Sequence, residues 1–206
     1  MFFATAEGLR PAPLTHNPFN ALVMPRPIGW ISSIGADGTL NLAPYSYFNG
    51  VCGDPPYVMF APNSATPGSD KDTYRNICEV PEFVANMVGE HDAALMNASS
   101  APLTYGVTEF AACGIASVPS RLVRPPRVAT AKAALECQVY EVVHLPLASD
   151  GRASHVVIGK VVGIYIADEV IVDGQIDEQR MHPLTRLGYM NYGTLGSIFE
   201  MKRPSA

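Results

Sequence analysis

Arg26-Pro27-Ile28-Gly29-Trp30-Ile31-Ser32-Ser33-Ile34, then Gly35-Ala36-Asp37-Gly38-Thr39, then Leu40-Asn41-Leu42-Ala43 is the stretch from which the fold can be read. Prolines at 25 and 27 constrain their neighbours and bar a helix interior. Ile28 to Ile34 reads as a strand, with Ile28, Trp30, Ser32 and Ile34 on one face. The Gly/Asp stretch supplies turn chemistry, and Leu40 to Ala43 returns as a second strand. The segment is a β-hairpin with signals at both strands and at the turn.

Working outward, Asp54-Pro55-Pro56 punctuates the chain before a strand from Tyr57 to Ala61. Residues 62–70 form a small-residue loop, and Asp72 is placed to cap a short helix through Ile77. Glu82 to Val88 alternates as a strand, and Glu90 to Ala98 suits a short helix. Leu135 to Leu145 and His155 to Ile166 read as long strands, with Gly159 and Gly163 marking bulges or a tight barrel corner. Val170 to Ile176 adds a short β segment around Asp173-Gly174. Residues 100–130 show little periodicity. Residues 1–20 read as an irregular arm, and 182–206 as a tail rich in Gly, Tyr and Arg. The sum is six or seven strands and two or three short helices in one domain spanning 1–206. No strand–helix–strand alternation and no GxGxxG occurs. A mainly β fold follows, a closed or split antiparallel β-barrel being the natural way to hide so many strand edges.

Composition agrees with one buried core. The 206 residues are 48% hydrophobic and 16% charged, with 18 prolines and 17 glycines, so turns and short elements dominate. A net charge of −5 with scattered Lys and Arg argues against nucleic acid as a partner. Every apolar run is interrupted before it reaches membrane-spanning length, and Met1 to Pro13 shows no secretory pattern, so a cytoplasmic protein with no membrane partner is expected. Cys52, Cys78, Cys113 and Cys137 form no CxxC pair and have no His at ligand spacing. They read as buried thiols, with no metal site.

Two segments look like chemistry. In Ala43-Pro44-Tyr45-Ser46-Tyr47-Phe48-Asn49 the proline breaks the ladder and frees backbone groups beside aromatic surface. That combination suits the rim of a flat heterocycle. Ser69-Asp70-Lys71-Asp72-Thr73, at a helix start, offers free N–H groups, a full positive charge and a hydroxyl, which together suit a phosphate. Alone, such a stretch is more often a helix cap. Trp30 is as readable as core as it is as a ligand contact, and Tyr45, Tyr47 and Phe48 are more often core than cofactor wall. No Gly-x-Ser-x-Gly elbow and no His-Glu-x-x-His appears.

In order, Arg-Pro-Ile-Gly-Trp-Ile-Ser-Ser, Asp-Gly-Thr-Leu-Asn-Leu-Ala-Pro-Tyr-Ser-Tyr-Phe-Asn, Asp-Pro-Pro, Lys-Asp-Thr-Tyr-Arg-Asn-Ile and Glu-Phe-Val-Ala-Asn-Met-Val resemble the flavin reductase-like family. The resemblance runs from about Pro25 to Val88. It resumes at Ser154-His155-Val156-Val157-Ile158-Gly159 and at Leu184-Thr185-Arg186-Leu187-Gly188-Tyr189. It implies a split β-barrel that binds FMN, or FAD in its place, usually as a homodimer, with NADH or NADPH as electron donor. It further implies that Ser32, Ser33, Lys71 and Thr73 hold the phosphate and ribityl chain, with Arg26 near that end or holding the strand entry. Ala43, Pro44, Tyr45, Ser46 and Asn49 would line the isoalloxazine, and Trp30 and Ile31 belong to the same candidate set. Asp72 would cap the helix rather than touch the anion. Arg186 and Tyr189 would reach the site, from the second subunit in one version. His155 is the candidate catalytic residue, beside the nicotinamide. The function implied is hydride transfer from reduced nicotinamide to flavin. The alternatives are a flavin oxidoreductase with another small acceptor, and a flavin carrier or sensor without turnover.

Overall fold

The computed structural model describes residues 1–204. Seven strands form its main sheet: β1 (Gly29–Ile34), β2 (Leu40–Tyr45), β3 (Phe48–Gly53), β4 (Pro56–Phe60), β5 (Glu82–Met87), β6 (Ala133–His144) and β7 (His155–Ile166). Their order is β2-β1-β5-β6-β7-β4-β3, and every neighbouring pair is antiparallel. The two edge strands, β2 and β3, are consecutive in the chain and separated only by Ser46 and Tyr47. The sheet therefore has to curl until its edges meet at that end, yet they form no ladder with each other. This is a split antiparallel barrel, mainly β, as the sequence implies.

The curl depends on close approaches that a side chain would block. A Cβ on Gly29 would lie 2.5 Å from the Phe48 ring, where β1 passes under the start of β3. A Cβ on Gly159 would lie 2.3 Å from the Phe83 ring. Pairing between β6 and β7 shifts register at Ile158/Gly159 and again at Val161/Gly163, so both glycines sit at the bulges expected of them.

β1 is buried on both faces, which places a core on each side of it. Ile31 joins Phe48, Phe60, Phe83 and Val157 inside the barrel. Trp30 joins Ile28, Leu42, Met96, Phe110 and Leu184 on the opposite face. Helix α1 (Asp72–Glu79) closes the barrel end by inserting Ile77 into the first cluster. Helix α2 (Ala93–Ala98) delivers Met96 to the second. Arg26–Pro27 pairs with Thr185–Arg186, which pairs with Tyr192–Gly193, so the C-terminal segment returns to the start of the hairpin. Residues 205–206 of the expected tail lie outside the described residues.

The thiols differ from expectation. Cys137 is buried, Cys113 half-buried, and Cys52 and Cys78 are exposed. Cys52 lies on β3, an exposed edge strand, and Cys78 on the outer face of α1, so neither has a core to enter. Among the described residues, no helix is long and apolar enough to cross a membrane.

Candidate functional site

The join between the barrel edges opens into a cleft of about 480 Å³. β2 contributes Asn41, Ala43 and Tyr45, three residues that alternation sends to one face, and the join itself contributes Ser46. The loop and first turn leading into α1 contribute Ser69 to Thr73, and the opposite wall is Ser99 to Leu103. The volume falls in the usual small-molecule range of roughly 300–1,000 Å³.

One end of this cleft is rich in donors. Lys71 is the N-cap residue of α1, and no side chain caps the helix. The first intrahelical bond runs from the Arg75 N–H to the Lys71 carbonyl, so the N–H groups of Asp72, Thr73 and Tyr74 have no partner within the helix. Thr73 Oγ1 accepts from Asn41 Nδ2 at 2.7 Å and from the Tyr45 hydroxyl at 2.9 Å. Burial pushes the Tyr45 phenol well above its ordinary value, so it stays a donor at neutral pH. Both lone pairs of Thr73 are thereby used, and its own proton is left to donate. Among the lining residues, Lys71 is the sole cation.

Three carboxylates, Asp70, Asp72 and Glu109, line the cleft. Glu109 Oε2 accepts the Leu42 N–H at 2.8 Å. Burial, ahead of its hydrogen bonds, raises the Glu109 carboxyl above the ordinary value. Asp72 is also raised by partial burial, with Arg75 and Lys71 opposing. It is the first residue of α1 and does not cap it, contrary to expectation, because Lys71 already holds the cap position with extended backbone. Asp70 lies 3.7 Å from His155 Nε2.

The expected site residues divide. Ala43, Pro44, Tyr45, Ser46, Lys71 and Thr73 all line this cleft. Ser32 and Ser33 do not. Both are fully buried: Ser32 donates to the Pro126 carbonyl at 2.5 Å, and Ser33 accepts from Asn76 Nδ2 at 3.2 Å. Ile31 is fully buried in the barrel core. Trp30 is equally buried, and its Nε1–H donates to Ser99 at 2.9 Å, so it props a cleft wall from behind. Asn49 sits exposed on β3, where it accepts the Gly50 N–H. These five residues have partners or positions that keep them off the cleft wall.

Arg26, Arg186 and Tyr189 line a second hollow of about 330 Å³, which shares Pro44, Ser46 and Ser100 with the first. Arg26 holds the strand entry, donating to the carbonyls of Asn20, Val23 and Leu187. His155 lies behind Asp70, outside both hollows. Its Nδ1 is 3.0 Å from His144 Nδ1, and its ring stacks on Tyr74 at 4.0 Å. Sequence reasoning missed Asn41, Glu109 and the Ser99–Leu103 wall. Asn41 shares the face of Ala43 and Tyr45 by simple alternation and could have been found that way; the wall carries no such signal.

A barrel whose edges are tied at one end, with a polar cleft at the tie, defines the split-barrel class. The chain belongs to the flavin reductase-like family: the family model for the flavin reductase like domain matches residues 21–188. An uncharacterised protein of Halalkalibacterium halodurans is 34% identical over 183 residues, covering 89% of this chain and 88% of that protein. The crystal structure of nitrilotriacetate monooxygenase component B from Bacillus cereus superposes with a TM-score of 0.89 at 29% identity, covering 98% of each chain. The 2-nitrobenzoate 2-nitroreductase of Pseudomonas fluorescens gives 0.83 at 28% identity, covering 99% of this chain and 96% of its own.

Proposed function

We propose that the 480 Å³ cleft binds FMN and that the protein is an NAD(P)H-dependent flavin reductase. The observation that carries this reading is the uncapped start of α1, where free N–H groups, the Lys71 ammonium and the Thr73 proton converge. Such a set suits a phosphate dianion, since anions are favoured at a helix N-terminus. At the other end, Ala43, Pro44, Tyr45 and Ser46 form a wall whose ladder Pro44 interrupts, leaving backbone groups for the rim of a flat ring. The residues present therefore fit the group. Membership of the family supports the same reading.

The chemistry a bound FMN supplies is acceptance of a hydride at N5 from NADH or NADPH. The protein's part is positioning. Lys71 and Thr73 anchor one end, Asn41 and Tyr45 fix the rotamer of Thr73, and Trp30 holds Ser99 against the opposite wall. No side-chain acid or base is needed. His155, stacked on Tyr74 and facing Asp70, acts as a positioning residue for the loop that carries Lys71.

A second reading keeps the flavin but changes the acceptor to a small organic molecule. The adjoining 330 Å³ hollow and the likeness to a nitroreductase favour it. The expected homodimer is supported by apolar side chains left exposed on the sheet, Val51, Tyr140 and Ile164 among them.

The test is an FMN titration of Lys71→Ala. Loss of a charge-assisted hydrogen bond should weaken binding by about 1–3 kcal/mol. Unchanged affinity, or riboflavin binding as tightly as FMN to the parent protein, would remove the phosphate site. Anaerobic bleaching of the bound flavin by NADH or NADPH then separates the reductase from a carrier, and rapid reoxidation by an added organic acceptor supports the second reading.

A further inference from the structure

The second hollow holds two cations without a counter-charge. Arg26 is 7% exposed; its guanidinium donates to three backbone carbonyls and lies 5.9 Å from the Tyr47 ring centre, and its Nε has no hydrogen-bond partner. Arg186 donates to the Tyr189 carbonyl and stacks over the Tyr192 ring at 4.4 Å. Among the described residues, no carboxylate lies within 4.0 Å of either guanidinium, in a chain whose net charge is −5. Burying a charge without a partner is costly, so an uncompensated buried guanidinium marks a place where an anion gains binding energy. Of the remaining walls, Pro44, Tyr189 and Tyr192 offer flat apolar and aromatic surface, and Ser46, Asn97 and Ser100 are polar.

The hollow is also held open by its frame. Its walls come from four separate places: the arm at Asn20, the first hairpin, α2 and the C-terminal segment. A Cβ on Gly188 would lie 2.7 Å from Ala21 Cβ, which fixes the C-terminal segment against the arm. Immediately after it, Tyr189 adopts φ +55°, a left-handed conformation that costs a non-glycine residue energy. Backbone strain of this kind concentrates at ligand clamps and active sites.

We propose that this hollow is a binding subsite for a small aromatic carboxylate. Arg186 takes the carboxylate, with the buried Arg26 charge behind it, while the ring lies among Tyr189, Tyr192 and Pro44. Its volume of about 330 Å³ is near the lower end of small-molecule sites, which suits one ring and its carboxylate better than a dinucleotide. Because Pro44, Ser46 and Ser100 wall both hollows, an occupant would sit next to the cleft assigned to FMN. Its standing as the substrate end of that site rests on the flavin reading; its binding chemistry does not.

The test is calorimetric titration of the purified full-length protein with benzoate and with benzyl alcohol, a neutral molecule of similar shape. Benzoate should bind at least tenfold more tightly. Arg186→Met, which keeps an apolar stem in a half-buried position, should weaken benzoate at least tenfold and leave benzyl alcohol unchanged. Equal affinity for the two molecules in the parent protein overturns the proposal whether or not the variant folds. So does benzoate affinity unaltered by Arg186→Met. FMN affinity is measured in parallel: a tenfold loss in Arg186→Met would merge the hollow with the flavin cleft and overturn a separate subsite. Lys71→Ala should weaken FMN and spare benzoate. If it spares FMN as well, the flavin reading fails while the benzoate titration still decides this one.

Discussion

Ser32 and Thr73 are hydroxyl residues with almost no exposure, one in β1 and one in the first turn of α1. Ser32 has its proton committed inward, to the carbonyl of Pro126 on a distant connection. Thr73 has both lone pairs committed inward, to Asn41 and Tyr45, and so keeps its proton for the cleft. The same chemical group is structural in one place and available in the other. What separates them is which half of the hydroxyl the fold has already used, and burial alone does not reveal that.

The sharpest way to break this contrast is to enlarge the structural side of it. Trp30 is fully buried next to Ser32, and its ring fills the second core. Trp30→Ala should cost about 3–5 kcal/mol of stability, the usual range for a large aromatic removed from a core. It also frees Ser99, so the cleft wall loosens and FMN binding weakens as a secondary effect. Urea unfolding reads the first effect; a loss below about 1 kcal/mol would mean that β1 is not the packed centre of the fold.

Ser32→Ala leaves the Pro126 carbonyl buried without its donor, which should cost about 1–3 kcal/mol of stability. FMN affinity should not change. Lys71→Ala is the mirror image: binding falls, while stability stays within about 0.5 kcal/mol, as for ordinary surface substitutions. Measuring unfolding and FMN titration on both variants crosses the two roles. A Ser32→Ala protein that is fully stable but has lost FMN would reverse the assignment and return the serine to the phosphate.

That contrast also explains what could be read from the residues alone. The hairpin, the long strands and both bulges were legible because they rest on local signals: alternation, turn chemistry, and glycines where neighbours press close. β3 was not anticipated, since Asn49, Gly50 and Gly53 carry little strand preference and five of its six residues are exposed. It forms because β4 offers it a ladder. The candidate cleft was half legible. Pro44 to Ser46 and Lys71 to Thr73 are adjacent in sequence to the features that expose them. The bond from Ser32 to Pro126 spans 94 residues and that from Arg26 to Leu187 spans 161, and no local pattern announces either. Sequence spacing told which residues carry hydroxyls and charges; long-range partners decided which of those remain free.

Glu109 gives the smallest expected effect and the finest test of the same idea, because it is a buried polar group beside the cleft with one oxygen in use. Its carboxyl is raised above the ordinary 4.5 mainly by burial, with the bond from the Leu42 N–H opposing and Asp72 adding to the rise. Below pH 4.5 the group is protonated in both folded and unfolded chains and contributes nothing to pH dependence. As the pH climbs past 4.5 the unfolded chain loses this proton first, the folded chain holds more protons, and stability falls until the folded carboxyl has also ionised. Above that point the cost is constant. Glu109→Gln keeps an oxygen for the Leu42 N–H and removes the charge, so the variant should match the parent at low pH and exceed it at neutral pH. Denaturant unfolding across pH 4 to 8 measures the difference directly. A difference that stays flat over that range would mean the Glu109 carboxylate is held as comfortably as Ser32 holds its proton, and that its burial beside the cleft carries no electrostatic strain.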